Sequence, residues 1–589
     1  MKKSARERSS IMIAIDRLRI GGFRSIQSLE VPLGNSTVFI GSNNCGKTSV
    51  LKALQLALSD EYVPIREDFH RSCDGQVVEE IYIDVRFVPS NDKGERIDYF
   101  DSIWTKALPF SVQSDRHHKE YFAFRTCFTW DKETASVKKQ RFLFSNWDRR
   151  ELGSELSQPL PFIKLVVLEV EDDLRSALAR PHSFINTALE QLREDIEAHP
   201  QYARVPIEDF RGLLNRLSET FLGPGSTLPN DVILSAATIG GFFNWVKTHD
   251  DTKLLTTRQG QGSQKTLLTL STITLMEGLA RQATAHRWPL FMLMAAEEPE
   301  SHLHPNAQRT LMSQMMTLSH QLLVTTHSPY VASVVEPQDF RSMMRRGEKI
   351  DVRWLPRKMD LCDIRMLKRL ILRFRGEVLF ARGLMFVEGV TEEQLIRGMF
   401  HAYFGHDPSA FGITIVGVDG KSYAPFFLLA MSLRKPFCVV SDNDGDTAHV
   451  VLKQLADVEK KVQFDHHDNR SQVFFLSHGL AMEGELVHKL DIRQELIESL
   501  MACSNMTDPS PKNRRLRRQR YSKLTDRELK HRLEKKKSEY SGFLGDIIQD
   551  NPFARPIEEL LPQAVQEAFR LMQTWIGDQS ECPGSFRTR

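Results

Sequence analysis

Acidic side chains that could bind a divalent cation follow three apolar runs in the C-terminal half of the chain. Glu388 closes the run GLMFVE, and Glu392 lies in the first turn of the helix predicted after it. Asp442 and Asp444 follow the run PFCVVS, and Glu483 follows FFLSHGLAM. Acids at the carboxyl ends of parallel strands meet in one crevice of an open α/β sheet, and their hard oxygen atoms suit Mg²⁺ or Mn²⁺. We therefore predict a divalent-metal site made of these acids.

A second group of residues that could bind a ligand lies in the N-terminal segment TVFIGSNNCGKTSVLKALQLAL. Its pattern G-x-x-x-x-G-K-[ST] stands between a predicted strand and a predicted amphipathic helix, an arrangement in which backbone N–H groups surround phosphates. Lys47 would reach the β- and γ-phosphates of ATP, and Thr48 would bind Mg²⁺. We predict nucleotide binding by Gly41, Asn43, Asn44, Cys45, Gly46, Lys47, Thr48 and Ser49.

Two further apolar runs end in residues suited to ATP hydrolysis. The run PLFMLMAAEE ends in Glu297, which would hold Mg²⁺, and Glu298, which would act as the general base for the attacking water. The run QLLVTTH ends in His327, which could sense or polarise the γ-phosphate. The order of these motifs behind the phosphate loop predicts an ATPase.

A glycine-rich loop, RQGQGSQKTLL, lies between the phosphate loop and Glu297. Gly260, Gly262 and Gln264 in this loop resemble the signature loop of ABC-type ATPases. Such a loop offers backbone N–H groups and a helix N-terminus to the γ-phosphate that the partner head binds. The resemblance therefore implies nucleotide sites that form across a homodimer or a larger homo-oligomer with an even number of heads.

Two other features bear on the ATPase head. Arg24, in GFRSI, resembles the FR motif of SMC, Rad50 and RecF heads, where it would contact nucleotide or DNA; a solvated arginine at a strand edge is the alternative. His302 and His304, in EEPESHLHP, could suggest a metal ion, but interface hydrogen bonding is the favoured interpretation. Because no membrane segment is predicted, a DNA-associated head is favoured over a transporter head.

The C-terminal acids also match a known pattern. E-G-x-[TS]-E at a strand end, followed by D-x-D after a later strand, resembles the Toprim fold. An ABC-type head with an internal insert and a C-terminal Toprim domain is similar to the OLD (overcoming lysogenisation defect) family of ATP-dependent nucleases, on the segments GSNNCGKT, GQGSQ, EEPESHLHP, TTHSP, VEGVTEE and SDNDGD. The resemblance implies an ATP-regulated, two-metal endonuclease that nicks or cuts DNA, with a role in bacterial or phage defence.

The same family has a lysine downstream of the Toprim acids that assists catalysis. Lys537, in HRLEKKKSEYSGFLG, is the best match, and Lys536 is the alternative. A cation at this place would stabilise the negative charge that develops on the scissile phosphate. A solvated helix surface is the alternative for these three adjacent lysines. We assign the last metal-binding acid to Glu483, although Glu485 also fits the family pattern.

The predicted fold class is α/β: an ABC/SMC-like P-loop ATPase head with a helical dimerisation insert, followed by a Toprim α/β domain and a helical C-terminal segment. Strands are predicted at 77–88, 119–129 and 139–146. Helical periodicity over 172–222 predicts the insert, with plain packing within the head as its alternative. The predicted divisions are the ATPase head in two parts, 1–171 and 226–370, the insert 172–225, the Toprim domain 371–500 and the basic, helical region 501–589.

Composition narrows the choice of partners. The net charge is only +2, so contact with DNA would come from a local patch such as PKNRRLRRQRYSK (511–523), which has seven basic residues. A disordered basic loop is the alternative for this run. The 7 scattered cysteines contain no Cys-x-x-Cys pair, and no apolar run is long enough to span a membrane. We therefore expect a cytoplasmic protein without a zinc ribbon or a disulfide framework.

Three other functions compete with the nuclease. A RecF-like, ATP-gated clamp would bind DNA without cutting it. A Toprim topoisomerase would need a tyrosine that holds the cut DNA, and Tyr521 and Tyr540 lie in charged helical stretches. An interaction scaffold would leave two complete sets of active-site residues unused. The sequence also leaves open whether ATP drives or restrains cleavage, and whether a protein or nucleic-acid partner from the same defence system takes part.

Overall fold

The structure is a computed structural model in which the chain divides into two compact units, Met1–Val352 and Arg353–Arg589. The predicted insert and the predicted signature-loop residues Gly260, Gly262 and Gln264 lie outside the residues that it describes. The described residues are 12–59, 62–91, 94–108, 112–156, 160–169, 287–317, 320–356, 359–373, 376–462, 471–507 and 511–577, with separate positions between 265 and 284.

The strands of the first unit form two sheets. They are β1 (Met12–Phe23), β2 (Ile26–Pro32), β3 (Ser36–Gly41), β4 (Glu80–Ser90), β5 (Gln113–Ser114), β6 (Glu120–Asp131), β7 (Ser136–Asn146), β8 (Glu151–Glu155), β9 (Ile163–Leu168), β10 (Phe291–Glu297), β11 (Gln321–Thr325), β12 (Phe340–Arg346) and β13 (Lys349–Arg353). An antiparallel sheet has the order β2-β1-β4-β6-β7-β8, with β5 paired to β6. The strands predicted at 77–88, 119–129 and 139–146 are confirmed as β4, β6 and β7.

The second sheet of this unit has the order β13-β12-β3-β11-β10-β9, and its strands from β12 to β9 are parallel. Strands β10 and β11 are almost completely buried, which explains why they read as continuous apolar runs rather than as an alternating pattern. Because β3, β11 and β10 are neighbours, the residues that follow these three strands lie at one edge of the sheet.

Helices connect the strands of the first unit. Helix α1 begins directly behind the phosphate loop and buries Val50, Leu51 and Leu54. Among the described residues of this unit, the helices are α1 (Lys47–Leu58), α2 (Ser102–Ala107), α3 (Pro305–Met315) and α4 (Pro329–Ala332), with single 3₁₀ turns at Arg66–Asp68 and Pro337–Asp339.

The second unit contains a parallel sheet with the order β15-β14-β16-β17. Its strands are β14 (Gly383–Val387), β15 (Ile413–Gly417), β16 (Phe437–Ser441) and β17 (Gln472–Phe475), and the three apolar runs before the predicted acids correspond to β14, β16 and β17. Its helices are α5 (Leu361–Arg373), α6 (Glu377–Phe380), α7 (Val390–Phe404), α8 (Ala424–Ser432), α9 (Thr447–Val462), α10 (Met482–His488), α11 (Arg493–Thr507), α12 (Pro511–Ser522), α13 (Asp526–Lys535), α14 (Lys537–Asp550) and α15 (Gln563–Gly577), with 3₁₀ turns at Pro408–Phe411 and Ile557–Leu560.

Helices α7 and α14 cross at a pair of glycines. A Cβ atom added to Gly398 would lie 2.3 Å from the carbonyl oxygen of Gly545, so no larger side chain fits at this crossing. Leu395 and Met399 from α7 and Leu544 from α14 belong to one buried apolar cluster. This packing fixes the first turn of α14 relative to the first turn of α7.

The basic run at 511–523 forms helix α12, so the alternative of a disordered loop is wrong. Arg514, Arg515 and Arg520 are exposed, whereas Tyr521 is buried, with its hydroxyl 2.8 Å from Ser504 Oγ. The helix therefore has a cationic outer face and an anchored inner face. Among the described residues, no helix is both long and apolar enough to cross a membrane.

Candidate nucleotide site and candidate metal site

A cavity of about 430 Å³ opens at the edge of the first unit's parallel sheet. It brings most of the predicted phosphate-loop residues together with the predicted base and histidine, while Gly41, Cys45 and Glu297 are not among its lining residues. The lining residues are Arg24, Ser25, Asn43, Asn44, Gly46, Lys47, Thr48, Ser49, Glu298, His327 and Arg345.

The conformation of the phosphate loop depends on Gly46. This residue has φ 90°, in the left-handed region that glycine adopts without strain, and a Cβ atom there would lie 2.8 Å from Ile350 Cδ1. Asn44 is also left-handed, with φ 61°. The side chain of Cys45 is completely buried beneath the loop, and burial raises the pKa of its thiol. Cys45 therefore serves the packing of the loop rather than a reaction.

Lys47 and Thr48 are held by contacts at the end of the loop. Lys47 is buried, and its Nζ donates hydrogen bonds to the carbonyl oxygens of Gly41 (3.1 Å) and Ser42 (2.9 Å). Burial lowers the pKa of Lys47, and nearby acidic groups oppose that shift. Thr48 Oγ1 donates a hydrogen bond to Glu297 Oε1. The hydroxyl and the carboxylate thus meet from α1 and β10, as a shared Mg²⁺ shell requires.

Glu298 and His327 lie side by side at the cavity. Glu298 has a left-handed backbone (φ 41°), and its N–H donates to Thr325 O at 3.0 Å, so the chain turns sharply as it leaves β10. His327 Nε2 is 3.5 Å from Glu298 Oε1. Burial and the charge of Lys47 lower the pKa of His327, which favours the neutral imidazole. A neutral imidazole with its proton on Nε2 can donate a hydrogen bond to the carboxylate.

Arg24 lines the cavity and is anchored by Asp68. Its Nε is 2.7 Å from Asp68 Oδ1, and its backbone N–H donates to Asp68 O at 2.7 Å. The backbone of Arg24 is left-handed (φ 48°), and its carbonyl oxygen lies 2.7 Å from His70 Nδ1. The guanidinium is therefore held beside the cavity by Asp68 while it remains exposed, so a role in nucleotide binding and the alternative of a solvated arginine at a strand edge both stay open.

Ser25 and Arg345 also line the cavity, and sequence reasoning missed both. Arg345 lies in MMRRGEK, where no motif marks it. It reaches the cavity because β12 pairs in parallel with β3, with Met343 opposite Gly41. Only this pairing of distant strands could have identified Arg345 from the sequence.

We expect the change Arg345→Ala to weaken ATP binding about tenfold or more, because a hydrogen bond to a charged group contributes ~1.5–3 kcal/mol. Isothermal titration with a non-hydrolysable ATP analogue measures the dissociation constant. Lys349→Ala is the matched control, since Lys349 is exposed on the same hairpin and does not line the cavity. An unchanged dissociation constant in Arg345→Ala would contradict a nucleotide contact at this residue.

The predicted metal-binding acids of the second unit follow neighbouring strands. Glu388 leaves β14 and Asp442 leaves β16, and these strands are paired in parallel. Glu392 lies in the first turn of α7 and Glu483 in the first turn of α10, and both are buried. Asp442 Oδ1 accepts a hydrogen bond from the backbone N–H at the start of α10 at 3.1 Å. Two strand ends and two helix starts thus place the acids together.

Burial and mutual repulsion raise the pKa of three of these acids. Burial, followed by the charges of Glu388 and Glu392, raises the pKa of Asp442 to about 8. Burial and the charge of Asp444 raise the pKa of Glu388, and burial and the charge of Glu483 raise the pKa of Glu392. In addition, Glu388 Oε2 is buried and has no hydrogen-bond partner within the part of the chain that the structure describes. The cluster is therefore an electrostatic environment that favours a cation.

Asp444 and Asp446 have different surroundings. Asp444 is exposed and accepts a hydrogen bond from Thr447 Oγ1 at 2.8 Å. Asp446 forms an ion pair with Lys421, with Oδ1 and Nζ 3.0 Å apart. Asp444 thus lies at the rim of the acid cluster, close enough for its charge to affect Glu388, while the charge of Asp446 is compensated by a lysine.

The structure separates the two candidate lysines. Lys537 Nζ is 3.8 Å from Glu483 Oε1, whereas Lys536 pairs with the exposed Glu539 at 2.8 Å. Burial lowers the pKa of Lys537, but attraction to Glu483, Glu392 and the other acids raises it overall. Only Lys537 of the two therefore contacts the acid cluster.

The structure also separates the two candidate glutamates. Glu485 accepts hydrogen bonds from the backbone N–H (3.1 Å) and the hydroxyl (3.0 Å) of Ser477, which ties α10 to the loop after β17. Glu483 instead accepts a hydrogen bond from Tyr540 Oη at 3.4 Å and faces Lys537. Glu483 is thus the acid directed to the cluster.

Family models match both units. The model described as "AAA domain, putative AbiEii toxin, Type IV TA system" matches residues 36–333, about half of the chain. The model described as "Overcoming lysogenization defect protein-like, TOPRIM domain" matches residues 379–444. The chain belongs to the OLD family of ATPase–Toprim proteins. The predicted fold class, an α/β ATPase head followed by a Toprim domain, is therefore confirmed.

Relatives of this OLD-family chain extend over most of its length. The OLD nuclease of Thermus scotoductus is 24% identical over 471 residues, which are 73% of this chain and 82% of the relative. The Old nuclease of Escherichia phage P2 is 22% identical over 460 residues, 69% of this chain and 73% of the relative. The solved C-terminal region of the Burkholderia pseudomallei OLD protein is 20% identical, covers 33% of this chain and 99% of that structure, and superposes with a TM-score of 0.25.

The residues of the OLD-family Toprim unit fit a divalent cation by their chemistry. Among the described residues, no group of three or more His, Cys, Asp and Glu side chains is arranged closely enough to hold a metal ion by itself. Glu388 nevertheless offers a buried oxygen without a partner, and its neighbours Glu392 and Asp442 are buried acids with raised pKa values. A divalent cation would satisfy that oxygen and cancel the repulsion among these acids.

Proposed function

We propose that this OLD-family chain is a divalent-metal-dependent DNA endonuclease that ATP regulates. The acid cluster at the ends of β14 and β16, with Lys537 beside it, carries the proposal, because buried acids that raise one another's pKa are costly to fold without a cation. The Toprim family match and the relatives named as nucleases support it. A role in bacterial or phage defence follows from the family resemblance.

Five acids would hold one or two Mg²⁺ or Mn²⁺ ions. When bound, such ions supply an activated water and neutralise charge on the attacking and leaving oxygens of the phosphodiester. The chain's own part is to fix the carboxylates: the sheet positions two of them, helices α7 and α10 position two more, and the loop after β16 supplies the fifth. These proposed ligands are Glu388, Glu392, Asp442, Asp444 and Glu483.

Lys537 would stabilise the negative charge that develops on the scissile phosphate. We expect Lys537→Ala to reduce the rate of DNA cleavage ~10²–10³-fold, the range for removing one donor from a charge-stabilising site. A single-turnover plasmid assay measures the rate. Lys536→Ala is the matched control, because Lys536 is the adjacent lysine and pairs with Glu539 instead. Equal losses in the two variants would contradict the assignment.

In the first unit, ATP would occupy the cavity above the phosphate loop. Lys47 and the loop N–H groups would bind the phosphates, and Thr48 and Glu297 would hold Mg²⁺. Glu298 would accept a proton from the attacking water, with His327 beside it. A second copy of the chain would complete each nucleotide site, and hydrolysis would reset the paired heads.

Helix α12 would bind the DNA backbone through its exposed arginines. We expect the double change Arg514→Ala, Arg515→Ala to lower the slope of log affinity against log salt by about two, because each arginine would neutralise one phosphate group. Fluorescence anisotropy with duplex DNA in a cleavage-deficient background measures the slope. Arg570→Ala, an exposed arginine on α15, is expected to leave the slope unchanged. An unchanged slope in the double variant would contradict the proposed role of α12.

The structure supports a topoisomerase or a non-cutting clamp less well than a nuclease. Tyr521 and Tyr540 are both buried, and the Tyr540 hydroxyl is bonded to Glu483, so neither offers a free phenol that could hold a cut DNA end. A clamp that does not cut would give no reason for a buried acid cluster with a lysine beside it.

Cleavage of supercoiled plasmid by the pure, full-length chain tests the proposal. The protein is incubated with Mg²⁺ or Mn²⁺, with and without ATP, and nicked and linear DNA are measured. We expect cleavage only when a divalent cation is present, and the ATP lanes show whether nucleotide drives or restrains it. A covalent protein–DNA adduct would instead support a topoisomerase. Intact DNA in every lane, with ATP still hydrolysed, would favour the clamp.

A further inference from the structure

Glu300 is a buried carboxylate that the predicted motifs leave unexplained. It lies in the turn behind β10, two positions after Glu298, and is only 7% exposed. Its Oε1 accepts hydrogen bonds from Thr326 Oγ1 at 2.5 Å and from the backbone N–H of His327 at 3.1 Å. Its Oε2 has no hydrogen-bond partner among the described residues. Glu300 does not line the nucleotide cavity, so it is not placed to contact ATP or the attacking water.

The hydrogen bonds of Glu300 join the two loops that carry the hydrolytic residues. Strands β10 and β11 are parallel neighbours with Glu297 opposite Thr325, so the loops behind them begin side by side. Glu298 leads the first loop and His327 belongs to the second, and Glu300 reaches from the first loop to the backbone of the second. The distance of 3.5 Å between Glu298 Oε1 and His327 Nε2 therefore depends on this bridge.

Burying the carboxylate of Glu300 costs free energy, so the side chain is expected to provide a compensating benefit. Burial raises the pKa of Glu300, and the hydrogen bonds from Thr326 and the backbone of His327 only partly oppose this. An apolar residue of similar size would avoid the cost but would leave the His327 N–H and the Thr326 hydroxyl without their acceptor. The benefit of the acid is thus the bridge between the loops.

We propose that Glu300 is a positioning residue for ATP hydrolysis: through Oε1 it fixes the loop of His327 against Glu298. This inference rests on the proposed ATPase function, in which Glu298 is the base. It deepens that function by adding a residue that acts through another and does not itself contact nucleotide. Because the hydrogen bonds that the described residues make to this carboxylate all go to Oε1, the bridge needs one acceptor oxygen and no negative charge.

The proposal predicts different effects for two substitutions of nearly equal size, Glu300→Gln and Glu300→Leu. In Glu300→Gln the amide oxygen can replace Oε1, and the amide nitrogen takes the place of the oxygen without a partner. In Glu300→Leu both acceptors are removed. We expect Glu300→Leu to lower kcat for ATP hydrolysis about 10- to 100-fold, because small displacements of catalytic groups have effects of this size. The KM for ATP should stay near the wild-type value, since the cavity lining is unchanged, and Glu300→Gln should recover most of kcat.

Steady-state ATP hydrolysis by the full chain tests the proposal, with wild type, Glu298→Gln, Glu300→Leu, Glu300→Gln and Thr326→Val in one assay. Thermal melting shows which variants fold, and Thr326→Val, which removes one donor to Oε1, tests the bridge if Glu300→Leu does not fold. A lower kcat in Glu300→Leu and Thr326→Val, with recovery in Glu300→Gln, supports the proposal.

Three results would overturn it. A Glu300→Gln variant as slow as Glu300→Leu shows that the negative charge itself is needed. A folded Glu300→Leu variant with wild-type kcat, whatever its KM, shows that Glu300 does not position the hydrolytic pair. If wild type and Glu298→Gln hydrolyse ATP at the same rate, the proposed ATPase mechanism fails first, and the positioning role fails with it.

Discussion

Changing Glu388 to glutamine is expected to reduce DNA cleavage about 100-fold or more, because a metal ligand supplies several kcal/mol of transition-state stabilisation. Glu388 is the acid that combines a strand-end position with a buried oxygen lacking a partner. The amide keeps the shape of the side chain but binds a divalent cation poorly. Nicking of supercoiled plasmid under single-turnover conditions measures the reduction.

Two controls accompany this prediction. ATP hydrolysis by Glu388→Gln should match wild type, which shows that the first unit is intact. In metal-free buffer its melting temperature should be unchanged or higher, because the amide removes one charge from a cluster in which Glu388 and Asp442 repel each other. Cleavage at the wild-type rate would show that the acid cluster is not the nuclease site.

Changing Glu298 to glutamine is expected to slow ATP hydrolysis ~10²–10⁴-fold, the contribution of a general base. ATP binding should be retained, since the proposed contacts of the phosphates and the metal, Lys47 and Thr48, are held by Gly41 and Glu297 rather than by Glu298. A phosphate-release assay measures the rate, and titration with ATP measures the binding. A variant that also loses ATP binding would indicate that Glu298 supports the site rather than the reaction.

The same variant decides what ATP does to cleavage. If Glu298 is the base for hydrolysis, the Glu298→Gln variant would stay in the ATP-bound state for longer than wild type does. If that state is the active one, plasmid nicking in the presence of ATP rises above the wild-type level. If ATP restrains the nuclease, nicking falls below it. Equal nicking by both proteins, with and without ATP, would contradict regulation by nucleotide.

The sheets and the main acids could be predicted because they depend on local signals. Buried parallel strands such as β10 and β16 read as unbroken apolar runs, and the residues behind them must lie at one sheet edge. Glu298, Glu388 and Asp442 follow directly from that rule. The phosphate loop could likewise be predicted because it is a continuous segment of the sequence. Glycine is needed at position 46 because the backbone there has a positive φ.

Residues that reach a site through distant pairings could not be predicted in this way. Arg345 reaches the cavity only through the pairing of β12 with β3, and Glu300 acts through a loop that begins behind β11. The choice between Lys536 and Lys537 depended on a break between α13 and α14 at Lys536, which turns the two side chains apart. No periodicity in the run of lysines marks that break.

The measurement that tests the central claim most directly is the number of Mn²⁺ ions bound by the acid cluster. Electron paramagnetic resonance titration would compare two nucleotide-free, full-length proteins. The first carries Thr48→Ala alone, which is meant to remove the metal site of the ATPase head, and the second carries Thr48→Ala together with Glu388→Gln and Asp442→Asn. We expect the first protein to bind Mn²⁺ and the second to be folded but unable to bind it. Equal Mn²⁺ binding by both proteins would contradict a metal site at these acids.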